Sequence, residues 1–170
     1  MRDDKHHSDP RQREAAVKGL RGILQSKDEE SDGDEGSCKA FGYLRGIKDH
    51  SVLVEFRFRD GNSIWFPYSL LGPIKYNPSE GLLIKFSSDL VYVVLIKGSN
   101  LDKPLEDGSV TLMRAGLQRH RLVWVREMTD EEIRNAGDAE PTIDSIEIEE
   151  FESHAALKEW VSKKAPAFLT

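Results

Sequence analysis

Between Ser51 and Lys97 the chain reads SVLVEFRFRDGNSIWFPY and then, past a connection bearing proline and glycine, GLLIKFSSDLVYVVLIK. Apolar residues recur there with period two, which sorts onto one face of a strand but not of a helix. The stretch predicts two consecutive β-hairpins, and no other feature restricts the fold as strongly. In the first hairpin Val52, Val54, Phe56 and Phe58 form the face expected to be buried, while Glu55, Arg57 and Arg59 face water. The Asp60-Gly61 dipeptide invites a two-residue turn, but that register would pair Phe56 with Trp65 and bring Ile64 and Phe66 onto the charged face. A three-residue loop, Asp60-Gly61-Asn62, with positive φ at Gly61 or Asn62, keeps the faces matched and pairs Phe58 with Ile64 and Phe56 with Phe66. In the second hairpin a Ser88-Asp89 turn sets Phe86, Ile84 and Leu82 opposite Val91, Val93 and Leu95, with Lys85 facing Tyr92. Both faces of that hairpin are apolar, so it belongs in mid-sheet with cover on each side.

Around this block the pattern is less regular. A first strand is expected from Phe41 and Tyr43 to Gly46, and an irregular edge strand at Pro73–Tyr76, where proline's missing donor is tolerated. The segment from Gly98 to Ser109 is rich in turn formers and reads as exposed. Val110–His120 reads as a helix with Val110, Met113 and Leu117 on one face. Arg121–Met128 returns to strand alternation, with Leu122, Trp124 and Arg126 on one side and Val123 and Val125 on the other. Thr129 and Glu132 have capping-box spacing, with Met128 and Ile133 as a hydrophobic staple, so a short helix should run from Asp130 to Ala136 and stop at Gly137. A last strand, Ile143–Phe151, leaves one face acidic through Glu147 and Glu149. Ser153 caps a final helix with an apolar stripe of Leu157, Trp160 and Val161, and Pro166 ends it. Sequential hairpins without βαβ units give the class α+β: a predominantly antiparallel sheet, strongly curved or closed into a small β-barrel, with short helices late in the chain.

The 170 residues suffice for one domain with a single core. Residues 1–37 are polar and end in an acidic Ser/Gly tract with six carboxylates within Asp28–Glu35, which predicts a disordered tail and linker. The ordered domain is then 38–170. No run reaches the roughly 18 apolar residues of a membrane span, and the charged start lacks a signal peptide's apolar stretch. The expectation is a soluble, cytoplasmic protein that does not enter a membrane. Cys38 is the single cysteine and has no Cys or His partner at ligand spacing, so no metal and no cofactor is expected.

Charge is unevenly spread. Residues 38–126 carry 13 Lys and Arg against 8 Asp and Glu, whereas 127–170 carry 4 against 12. A basic sheet neutralised by its own acidic C-terminal third accounts for both. Three functional readings follow. The first is a non-catalytic protein-interaction or scaffold module for a protein partner, whose signature would be an exposed apolar patch or sheet edge. The second is a single-stranded nucleic-acid platform on a face of Arg45, Arg57, Arg59 and Lys85 beside Trp65 and Tyr92, where cations neutralise phosphates and rings stack on bases; the acidic flanks oppose it. The third is an enzyme acting on an anionic substrate around Arg119-His120-Arg121, where flanking cations would lower the imidazole's proton affinity and bind the anion. No phosphate loop, nucleophile elbow or metalloprotease motif accompanies that cluster, which counts against an enzyme.

Overall fold

The computed structural model describes residues 34–105 and 110–169. The expected tail up to residue 33 lies outside the described residues. The protein is α+β, mostly strand, with nine strands in two sheets among the described residues. The first sheet holds β1 (Glu35–Ser37), β2 (Phe41–Leu44), β3 (Leu53–Arg57), β4 (Ser63–Pro67) and β8 (Leu122–Arg126), in the order β1-β2-β8-β3-β4. The second holds β5 (Leu71–Asn77), β6 (Gly81–Ser87), β7 (Val91–Lys97) and β9 (Ser145–Phe151), in the order β5-β6-β7-β9. The expected single curved sheet or closed barrel is therefore corrected to two open sheets. The first is mixed, because β8 inserts between β2 and β3 and runs parallel to β3. Strand β1 also takes in three residues that composition assigns to the linker.

The inner faces of the two sheets share one core. Phe41, Val54, Phe56, Leu122 and Val125 of the first sheet pack with Leu82, Ile84, Phe86, Val94 and Ile96 of the second. Phe66 stacks on Phe86 at 4.5 Å between ring centres, joining the sheets at the hairpin end. Burial on the first hairpin's inner face is narrower than the alternation suggests. Val54 and Phe56 are buried, but Val52 is 79% exposed because β3 begins only at Leu53.

Both hairpins differ from the expected registers. In the first, Phe56 pairs with Ile64 and Val54 with Phe66, two residues away from the expected pairing. A shift of two preserves the faces. The loop is Arg59-Asp60-Gly61: Phe58 N–H donates to the Asn62 carbonyl, Gly61 N–H donates to the Phe58 carbonyl, and Gly61 takes φ +89°. A three-residue loop closed by a left-handed glycine is a common hairpin solution. In the second hairpin the loop is Ser88-Asp89-Leu90, so Phe86 pairs with Tyr92, Ile84 with Val94 and Leu82 with Ile96. That one-residue slip has a large consequence. Val94 and Ile96 join Leu82, Ile84 and Phe86 in the core, while Lys85 moves opposite Val93 and away from Tyr92.

The hairpin does lie in mid-sheet with cover on both sides. Its outer face, through Leu83 and Leu95, packs under helix α2 (His154–Lys164) and a final 3-10 turn at Pro166–Leu169, with Val161, Ala165 and Phe168. Ser153 caps α2 by accepting from Ala156 N–H. Helix α1 (Asp130–Arg134) has the expected capping box, though it ends short of Ala136. The segment expected to be a helix over 110–120 is a π-helix at Leu112–Leu117, where Gly116, Gln118 and Arg121 N–H each donate five residues back. Strand β8 departs from strict alternation, since its pairing with β2 skips Val123 and both Leu122 and Val125 are buried. Leu101, in a segment expected to be exposed, is buried.

Candidate interaction surface on the first sheet

The outer face of the first sheet is built by residues one position out of phase with its core. Glu55 is registered opposite Trp65 on β4 and opposite Trp124 on β8, and Trp124 in turn opposite Gly42 on β2. One row across the sheet therefore reads Gly42, Trp124, Glu55, Trp65. The next row carries Arg57 beside Ser63 and Arg126. Trp124 lies flat because Gly42 has no side chain: a Cβ there would run into the indole. Arg57 covers the other side of the ring, 4.8 Å from its centroid. Trp65 stays free and is 56% exposed, with Leu53 at 43% nearby on β3.

Strand β4 is the last strand of this sheet. Phe58 with Asn62 and Val52 with Tyr68 are hydrogen-bonded positions of the ladder, so antiparallel alternation turns the backbone groups of Ser63 and Trp65 outward. Among the described residues no hydrogen bond engages those groups. Pro67 closes one end of the edge by lacking a donor.

Where the hairpin loop meets α1, a polar cavity of about 450 Å³ is bordered by Glu55, Arg57, Arg59, Arg126, Glu127 and Thr129. Its three guanidinium groups are committed. Arg57 pairs with Glu55 at 2.6 Å, Arg59 with Asp130 at 3.0 Å, and Arg126 with Glu132 at 2.6 Å. Arg126 and the Thr129 N–H hold the Glu132 carboxyl down to about 2. Arg59 also donates from its backbone to Glu127 and from its side chain to the Asp144 carbonyl. The expected neutralisation by the C-terminal third thus occurs at Arg59 and Arg126, through Asp130 and Glu132; Glu147 instead pairs with Lys164 at 2.8 Å and leaves that arginine face alone.

Of the six residues of the expected nucleic-acid platform, the structure gathers Arg57, Arg59 and Trp65 and disperses the rest. Arg45 stands beyond the end of β2, 3.8 Å from the Asp34 carboxylate. Lys85 and Tyr92 belong to the second sheet and to opposite faces of it, the slip in register having separated them. Tyr92 packs on Phe66, and a hydrogen bond to Glu150 with partial burial raises its hydroxyl's pKa. Trp124 and Arg126 complete the face and escaped the sequence reading. The available signal was the alternation of Trp124 and Arg126 about the buried Val125, but the parallel pairing that brings β8 beside β3 has no local signature.

The Arg119-His120-Arg121 cluster is not convergent. Arg121 is 4% exposed and spends its guanidinium on the Leu44 and Arg45 carbonyls, both at 2.7 Å. His120 turns the chain after the π-helix with φ +52° and stacks on Tyr68 at 4.5 Å. Arg119 is exposed, and its carbonyl lies 2.9 Å from His50 Nδ1. Cys38 is a half-buried free thiol whose pKa burial raises, away from thiolate reactivity. Among the described residues no group of His, Cys, Asp and Glu could hold a metal ion, and no helix is long and apolar enough to cross a membrane. No protein family, curated protein or solved structure matches the chain.

Proposed function

We propose that the protein is a non-catalytic interaction module that takes an extended segment of a protein partner along the open edge of β4. The observation that carries this reading is that edge: Ser63 and Trp65 turn their backbone groups outward beside the exposed rings and chains of Trp65 and Leu53. A strand added there gains main-chain hydrogen bonds, and its alternate side chains meet an apolar surface. Soluble proteins usually blunt such edges with charge, bulges or cover. Among the described residues only Pro67 does so here.

The nucleic-acid reading is supported by the aromatic row and opposed by the pairing of Arg57, Arg59 and Arg126 with carboxylates. The test is selection of peptides from a displayed library on the full chain, followed by amide exchange. Bound peptide should protect the Ser63 and Trp65 amides. Ser63→Pro, which removes an outward donor and no internal bond, should abolish binding with the melting temperature unchanged. Equal binding by that variant would sink the edge reading; salt-sensitive binding of a mixed oligonucleotide, lost in Arg57→Ala, would replace it.

A further inference from the structure

On the far side of the molecule, between the outer face of the second sheet and α2, lies a cavity of about 250 Å³. Its walls are apolar: Leu83 and Val93 from the sheet, Leu157 and Val161 from the helix, and Phe168 from the final turn. Its rim holds Lys75, Lys85, Lys158 and His154, and among the described residues no carboxylate lines it, in a chain of net charge −6. Lys75 donates to the Phe168 carbonyl at 2.8 Å and so fastens the final turn over one end. Among the described residues no hydrogen bond or ion pair engages the Lys85 or Lys158 ammonium.

The outer face of this sheet is graded in charge. Glu147 and Glu149 sit on β9, registered opposite Leu95 and Val93, and Lys164 answers Glu147. The lysines of β5 and β6, Lys75 and Lys85, lie at the other side and line the cavity. An apolar slot with unpaired cations at its mouth is complementary to a molecule with a hydrocarbon body and an anionic end. One water needs about 10–15 Å³ of such space, so a cavity of about 250 Å³ has room for a chain of several methylenes.

We infer that the slot beneath α2 binds a medium-chain alkyl carboxylate, its chain against Val93 and Leu157 and its carboxylate between Lys85 and Lys158. The site is separate from the β4 edge and does not depend on it. Decanoate, kept below its micelle concentration, is titrated into the full chain and followed by amide and methyl NMR shifts. Saturable shifts are expected at Leu83, Val93, Leu157 and Val161. The double variant Lys85→Gln, Lys158→Gln should weaken binding about tenfold with an unchanged melting temperature, as expected for charge-assisted contacts. Decanol should bind wild type and variant alike, and decyltrimethylammonium should not occupy the slot. Absence of saturable shifts, shifts centred elsewhere, or equal decanoate binding by the variant would each overturn the proposal. So would binding to phosphatidylglycerol vesicles without binding of free decanoate, which would make the lysines a membrane-facing patch.

Discussion

Arg57 is shared between an acid and a ring: its guanidinium bonds to the Glu55 carboxylate while its carbon lies 4.8 Å from the centre of Trp124. A cation over a half-buried indole contributes about 0.5–2 kcal/mol, and the ion pair is shielded on its acid side, where the Glu55 side chain is only 13% exposed. Arg57→Gln should therefore lower stability by about 1–2 kcal/mol in urea denaturation. Gly42→Ala should cost more, since its Cβ needs the space the Trp124 ring occupies. Equal effects of the two would show that the indole is free to move.

Arg121 is a structural anchor. Removing a charged donor that satisfies two carbonyls forfeits about 1.5–3 kcal/mol per hydrogen bond. Arg121→Ala is expected to cost about 3 kcal/mol or more, and Arg119→Ala to stay within about 0.5 kcal/mol, as exposed substitutions do. A loss at Arg119 comparable to that at Arg121 would reinstate the cluster as a unit.

Glu132 makes stability sensitive to acid. Its folded-state pKa is about 2 against an ordinary 4.5, so the unfolded chain takes up the proton first. Its contribution is whole above about pH 4.5 and is lost as pH falls toward 2. Melting temperatures followed down that range should drop less steeply in Glu132→Gln. Identical slopes would mean that the Arg126 pair contributes nothing to the folded state.

The cover on the second sheet is fastened more by Phe168 than by Trp160. Phe168 is buried, whereas Trp160 is half-buried and rests edge-on against Phe151 at 5.8 Å. Phe168→Ala should cost about 3–5 kcal/mol and Trp160→Ala about half as much. A reversed order in denaturant melts would assign the main anchorage to α2 itself.

Local chemistry was legible in the sequence where it closes on itself. The Thr129/Glu132 box, the Ser153 cap and the β5 edge at Pro73 each depend on residues a few positions apart. Register was less legible. Asp60-Gly61 and Ser88-Asp89 name a turn but not its length, and a single residue decides whether Lys85 shares a face with Tyr92. The neighbours of β8 were not legible at all, because Trp124 meets Glu55 and Gly42 through tertiary pairing alone. The site followed suit: Arg57 and Trp65 come from one hairpin and were found together, while Trp124 and Arg126 come from a distant strand.

The insertion of β8 between β2 and β3 also sets an order of assembly. During synthesis β2, β3 and β4 emerge first, and the slot between β2 and β3 stays empty until the chain has produced the whole second hairpin and the π-helix. Closing so long a loop around a parallel pairing is slow compared with forming either hairpin. Through that interval the nascent first sheet has β3 unpaired on one side and β4 unpaired on the other. A neighbouring chain at the same stage could supply the missing strand, so the yield of folded protein should fall with the concentration at which refolding is begun.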